Sequence, residues 1–332
     1  MPKKIKKNSA LKPRKKPRHK NFRAGTQKIE SFLLQSMQRV PAVSFSSASF
    51  GKFDFDPDIK GFNKKNSYLL AKAAKLAYAD EDEVITQVRR WGFLEDPIVL
   101  DWDLTQGFIA HHRDYVLVSF RGTNSFFDWL RNFKFVQKKE TWGRVHSGFK
   151  QAANAVWTIV QSKLEEWAGG KKGVWLTGHS LGAAIATITA ARLLNMPSKT
   201  FNLGGVHTFG SPRVVDSKFA NEFNTRFGDQ SFRFVNNEDF VPCIPLKISY
   251  HHVDTGYLFD EDGRLRKLNK GTAFAPLKQF LNQTPKQIEA KAWMQLEQDN
   301  PYQTRYVQQG LFDIFSGIYD HNIDCYIDLL EP

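Results

Sequence analysis

A serine flanked by glycines two positions away on either side, Gly178-His179-Ser180-Leu181-Gly182, is the stretch of this chain best suited to nucleophilic chemistry. An apolar run, Val174-Trp175-Leu176, precedes it, and a run of small apolar residues follows to about Leu194. Strand, sharp turn and helix in this order make a nucleophile elbow. The turn strains the serine backbone, and a Cβ at position 178 or 182 would collide with the strand or the helix. The Ser180 hydroxyl is thereby lifted to a helix N-terminus, where free amides and the macrodipole favour developing negative charge. Ser180 is the candidate nucleophile.

Such a serine needs an imidazole within hydrogen-bond reach and a carboxylate to orient it. Behind an elbow the acid comes next in the chain and the histidine last, each on a loop after a strand. The first acidic group directly behind a strand lies in Asn236-Asn237-Glu238-Asp239-Phe240-Val241-Pro242. Asp239 or Glu238 could serve; the apolar Phe240 and Val241 favour an inward-pointing Asp239. For the base, His251 and His252 fall in a stretch that reads as strand, 248–253, whereas His321 opens a last amphipathic helix. A loop position after the final elements favours His321.

The strand Val116–Phe120 ends in Arg121-Gly122-Thr123, where a second oxyanion donor belongs. Thr123 (amide and hydroxyl) and the Leu181 amide are the candidate donors. Directly afterwards Phe126, Trp129, Leu130 and Phe133 share one helical face, with Asp128, Arg131 and Asn132 opposite. A short aromatic helix beside an oxyanion loop is expected to be a lid over an apolar site.

Stepping outward, helices are expected from Ser67 to about Tyr78, from Glu81 to Arg90, and over 148–168. Strands are expected at Ile98–Leu100, Gly107–His111, Tyr115–Phe120, Val206–Phe209 and Phe232–Val235. His111 and His112 read as hairpin residues rather than metal ligands. Alternation of buried strands with helices argues for a mostly parallel sheet. Residues 262–310 read as an insertion of two amphipathic helices, with Leu277, Phe280, Leu281, Ile288, Ala292, Trp293 and Leu296 apolar.

The 332 residues carry a net charge of +13, but eleven Lys or Arg and no acid fall in residues 1–25, leaving +2 for residues 26–332. The basic block is expected to be a disordered tail, followed by a partly helical linker at 26–65 and one large domain at 66–332. Attraction of the tail to anionic headgroups is one reading. Nucleic-acid contact is disfavoured, since no aromatic residue interleaves the block before Phe22. No stretch reaches 18 consecutive apolar residues, and no apolar leader follows the basic N-terminus. Cys243 and Cys325 make no metal spacing or disulfide framework. The expectation is a cytoplasmic protein, with peripheral membrane contact through its tail, no cofactor and no metal.

Phe120-Arg121-Gly122-Thr123, Val145-His146-Ser147-Gly148-Phe149, the Gly-His-Ser-Leu-Gly elbow, Thr208-Phe209-Gly210-Ser211-Pro212-Arg213-Val214, the run from Asn236 to Pro242 and Asp320-His321 stand in sequence. Together they resemble the class 3 lipases of the α/β-hydrolase superfamily, over roughly residues 66–330. The resemblance implies an α/β fold with a mostly parallel central sheet flanked by helices and a short helical lid. It implies a Ser180-Asp239-His321 triad, oxyanion donors at Thr123 and Leu181, and a metal-independent esterase acting on acylglycerols or membrane glycerolipids. The basic tail and the 262–310 insertion depart from the family pattern. Two other functions are kept in view: a phospholipase A1-type activity on anionic membranes, and a polyanion-binding protein on a degenerate hydrolase scaffold.

Overall fold

Among the described residues eight strands form the central sheet, and the five in its middle run parallel. The structure, a computed structural model, describes residues 50–102, 105–122, 136–170, 173–196, 202–237, 239–245, 249–253, 255–268 and 320–332. The first elements are helices α1 (Lys64–Leu76) and α2 (Glu81–Arg90), then strands β1 (Ile98–Trp102), β2 (Thr105–His111) and β3 (Tyr115–Phe120). A separate hairpin, β4 (Gln137–Glu140) and β5 (Gly143–His146), leads into α3 (Ser147–Trp167). The elbow strand β6 (Gly173–His179) and helix α4 (Leu181–Leu194) follow, then β7 (Leu203–Phe209), α5 (Ser217–Phe227) and β8 (Ser231–Asn236). Strands β9 (Thr255–Phe259) and β10 (Leu265–Lys267) and helix α6 (Ile323–Leu330) complete the series. The sheet order is β1-β2-β3-β6-β7-β8-β9-β10, with β1, β2 and β10 as antiparallel borders.

Every residue of β3, β6, β7 and β8 is buried, as expected of strands covered on both faces. Alternation sorts their side chains. Val116, Val118, Phe120, Val174 and Leu176 pack with α3, α4 and α5 on one face. Tyr115, Leu117 and Trp175 pack with α1 on the other, where Phe209, Phe232 and Phe234 meet α1 and α6. Residues 181–191 of α4 are all buried, because α4 is sandwiched between the sheet and α3. On the opposite face, sheet hydroxyls fix α1: Thr177 Oγ1 donates to the Leu70 carbonyl (3.0 Å) and Ser119 Oγ to that of Ala73 (2.8 Å).

The structure adds elements to the expected set. The hairpin β4–β5 is short and carries Lys138, Lys139 and Arg144, so it shows little apolar alternation. Helix α5 is anchored by Phe219, Phe223 and Phe227, one per turn, behind an Asp216 cap that accepts from Phe219 N (2.8 Å). Residues 249–253 form no strand; His251 makes an isolated bridge to Val215. Residues 265–267, inside the expected helical insertion, form edge strand β10. The basic tail, the expected lid at 124–135, and the insertion residues Leu277 to Leu296 lie outside the described residues. Among the described residues no helix is long and apolar enough to cross a membrane.

Candidate active site

The elbow is built by close backbone packing. Ser180 has φ +57° and ψ −122°, a left-handed conformation for a residue with a side chain, which costs about 1–3 kcal/mol. A Cβ on Gly178 would lie 2.4 Å from the Gly182 carbonyl carbon, and one on Gly182 would lie 2.1 Å from the Phe120 carbonyl oxygen. The two glycines let α4 start against the end of β3, which brings the loop toward Thr123 next to Ser180. The Ser180 amide donates to the Phe209 carbonyl (3.0 Å). Its Oγ is buried and has no hydrogen-bond partner among the described residues. Leu181 is the first residue of α4, a position whose amide has no intrahelical acceptor.

Asp239 and His321 come together across 82 residues of chain: His321 Nδ1 donates to Asp239 Oδ2 over 2.9 Å. Asp239 is fully buried, and its other oxygen accepts from Val241 N (2.9 Å). Tyr326 Oη donates to Oδ2 at 2.6 Å and accepts from Asn236 N at 3.0 Å. Burial and the Asp239 charge push the Tyr326 phenol well above its ordinary pKa, so it stays a donor. Asn236 Nδ2 donates to the Asp320 carbonyl (3.1 Å), which ties the end of β8 to the loop before His321.

The Asp239 loop is clamped from the segment that follows β7. Arg213 N donates to the Ile244 carbonyl (2.8 Å), and its guanidinium donates to the Pro245 carbonyl (2.7 Å) and to that of Cys243. His252 Nε2 donates to the Pro242 carbonyl (2.8 Å). Burial first, then Arg233 and Arg213, hold the His252 imidazole well below its usual pKa, so it is a neutral support for this loop. His251 contributes backbone bonds to Val215. Of the three candidate histidines, His321 is the one paired with Asp239.

His321 lies beside the elbow. Its ring centroid is 4.6 Å from that of His179, the residue before Ser180. A Cβ on Gly210, next to the Phe209 that receives the Ser180 amide, would lie 2.8 Å from His321 Nδ1. Thr123, the expected lid residues Phe126, Trp129, Leu130 and Phe133, and Glu238 are outside the described residues. Tyr326 and Arg213 were not singled out from the sequence. A tyrosine in an apolar helix reads as core, although its place five residues after His321, one turn into the next helix, was a usable signal. His146 proves to cap α3, its Nδ1 accepting from Gly148 N (3.1 Å). His111 bonds Glu95 (2.6 Å) and stacks on Trp167. Among the described residues no three His, Cys, Asp or Glu side chains converge as a metal site.

Residues 117–248 match the family model "Lipase (class 3)". A secreted mono- and diacylglycerol lipase of Fusarium solani is 34% identical over 158 residues, 45% of this chain and 45% of the relative. One from Penicillium cyclopium is 30% identical over 46% of this chain and 51% of its own length. A Malassezia globosa enzyme of the same description is 25% identical over 67% of this chain and 78% of the relative. The chain thus spans about half the length of the first two relatives. Among solved structures, a mutant form of MDLA from Penicillium cyclopium superposes with a TM-score of 0.54 at 22% identity, covering 63% of this chain and 86% of that one. The lipase of Rhizopus microsporus var. chinensis gives 0.52 at 24%, covering 71% and 90%.

These relatives are named as secreted, which overturns the cytoplasmic expectation. That expectation leaned on the lack of an apolar leader behind the basic N-terminus and on two cysteines that make no disulfide framework. The segment that carries Ser180 and Asp239 is thus similar to the class 3 lipases over residues 117–248, and the chain has the α/β-hydrolase fold of these lipase structures.

Proposed function

We propose that this chain is a serine esterase that hydrolyses carboxylic ester bonds of lipids, acylglycerols foremost, through an acyl-enzyme. The observation that carries the reading is the buried Asp239–His321 pair set against the strained Ser180 turn. His321 Nδ1 is committed to Asp239, which leaves Nε2 to take the Ser180 proton as Oγ attacks the ester carbonyl. The Leu181 amide and Thr123 hold the oxyanion, each donor contributing about 3 kcal/mol to the transition state. Collapse of the tetrahedral adduct expels the alcohol, protonated from His321 Nε2. Water, deprotonated by the same nitrogen, then cleaves the acyl-enzyme and releases the carboxylic acid and free Ser180.

The names of the relatives, mono- and diacylglycerol lipases, support this substrate class and favour it over polyanion binding on a degenerate scaffold. Residues 124–135 act as the lid. The eleven cations of residues 1–25 draw the protein to anionic lipid surfaces.

The test is hydrolysis of a soluble short-chain p-nitrophenyl ester by the wild type beside Ser180→Ala, followed by mono-, di- and triacylglycerols. Equal rates in the two proteins would sink the proposal. Removal of residues 1–25 should lower activity on anionic vesicles and spare the soluble ester; equal loss on both refutes the role of the tail.

A further inference from the structure

His179 is buried, stands next to the nucleophile, and has no place in the proton transfers above. Strand alternation explains where it points. Trp175, Thr177 and His179 share one face of β6, the face covered by α1. Tyr78, just beyond the end of α1, meets it there: Tyr78 Oη lies 2.8 Å from His179 Nδ1. On its other side, His179 Nε2 lies 2.7 Å from the His321 carbonyl oxygen.

These contacts fix the tautomer. A carbonyl only accepts, so Nε2 carries the proton and donates it to His321. Burial, and then the neighbouring His321, keep the His179 imidazole neutral, so Nδ1 is a lone-pair acceptor and Tyr78 donates to it. The Tyr78 oxygen in turn faces the loop after β3. The Gly122 amide donates toward it, and a Cβ on Gly122 would lie 2.1 Å from it and 3.0 Å from Ser180 Cβ. The Arg121 guanidinium lies over the Tyr78 ring, 5.4 Å from its centroid.

We infer that Tyr78 and His179 form a positioning brace that runs from the oxyanion loop, past the nucleophile, to the backbone of the base. The chain Gly122 N–H, Tyr78 O–H, His179 Nε2–H, His321 C=O sets the two halves of the site at a fixed separation. Neither side chain touches substrate; both act through His321 and the loop leading to Thr123. The Thr177 and Ser119 hydroxyls that hold α1 on the sheet set the position from which Tyr78 reaches. The inference rests on the serine-esterase reading, since positioning matters only if His321 and the oxyanion loop cooperate in one reaction.

The test compares Tyr78→Phe, His179→Leu and His179→Gln with the wild type on a short-chain p-nitrophenyl ester, with rates taken per folded molecule. Gln offers the same donor and acceptor as the neutral imidazole tautomer; Leu offers neither. Tyr78→Phe and His179→Leu should lose kcat by about tenfold to a hundredfold with KM changed less than about twofold, the signature of misplaced catalytic groups. His179→Gln should recover most of that loss. A folded Tyr78→Phe with wild-type kcat overturns the brace, and so does a His179→Gln no better than His179→Leu. Because Tyr78→Phe removes a single oxygen, it decides the matter even if His179→Leu does not fold. A second readout needs no turnover. The ¹⁵N spectrum of the imidazoles should show His179 as the Nε2–H tautomer in the wild type, with faster ring-proton exchange in Tyr78→Phe. An Nδ1–H tautomer refutes the brace outright, whereas an inactive wild type with the Nε2–H tautomer refutes only the esterase reading.

Discussion

Tyr326 and His321 donate to the same oxygen of Asp239, from 2.6 and 2.9 Å. The proposed base and the second anchor of its carboxylate thus come from one short segment, the entry and first turns of α6. The two donors hold one Asp239 oxygen from the same segment, while Val241 N holds the other from the loop of Asp239 itself.

Tyr326→Phe tests that coupling. It removes a donor from Asp239 and an acceptor from the Asn236 amide, both buried, and should cost about 1–3 kcal/mol of stability. Hydrolysis of a soluble ester should fall with it, by less than in Asp239→Asn, which loses the carboxylate itself. Thermal unfolding and kcat on the same preparations check both. Unchanged stability would mean that water replaces the phenol without loss.

Stability should fall on mild acidification. His179 and His207 are buried and His252 is half-buried, and loss of solvation holds each imidazole below the ordinary value near 6.5, His207 at about 3 and the others well below. In the unfolded chain all three protonate first as the pH drops. Their contribution is therefore complete above pH 6.5 and is lost as the pH falls toward each folded-state value. Each costs about 1.4 kcal/mol per pH unit within its window. Urea unfolding at pH 7 and pH 5 measures the slope, and His207→Phe, which keeps a ring among Trp175, Phe232 and Phe234, should flatten it by about one proton. The same slope in the variant would show that His207 titrates alike folded and unfolded.

Gly182→Ala should damage the elbow. The new Cβ would press on the Phe120 backbone, and overpacking of this kind costs about 1–3 kcal/mol. Because β3 leads into the proposed oxyanion loop and α4 follows the proposed nucleophile, kcat should drop further than stability alone explains. Gly169→Ala, where a Cβ would meet nothing within 4 Å, is the control and should be near neutral. Equal behaviour of the two variants would show that the elbow yields.

The sheet and its helices were legible because their signals are local. The strand at Tyr115–Phe120 and the helix at Glu81–Arg90 have the bounds that periodicity and capping gave them, and Gly92 takes φ +81° behind α2. The hairpin β4–β5 was not legible, because four-residue charged strands show no period. Around the site, Ser180, Asp239 and His321 stood out through residue type and order. Tyr78, Arg213 and Tyr326 did not, since each acts through a contact at long chain separation: 101 residues from Tyr78 to His179, and 87 from Asp239 to Tyr326. What a phenol or guanidinium touches across such spans is set by packing; only Tyr326, one turn behind His321, left a trace in the order of residues.

The hydroxyls beneath α1 also bear on how the chain finds its fold. Ser119 and Thr177 are direct partners across β3 and β6, and both reach α1 carbonyls. Slipping that pairing by one residue would turn one of the two strands over. One hydroxyl would then point into the apolar layer under α4, at a cost of about 1–3 kcal/mol, and α1 would lose half of its seat. Helix α1 therefore works as a gauge for the register of the sheet, since it seats fully only where Ser119 and Thr177 stand side by side beneath it.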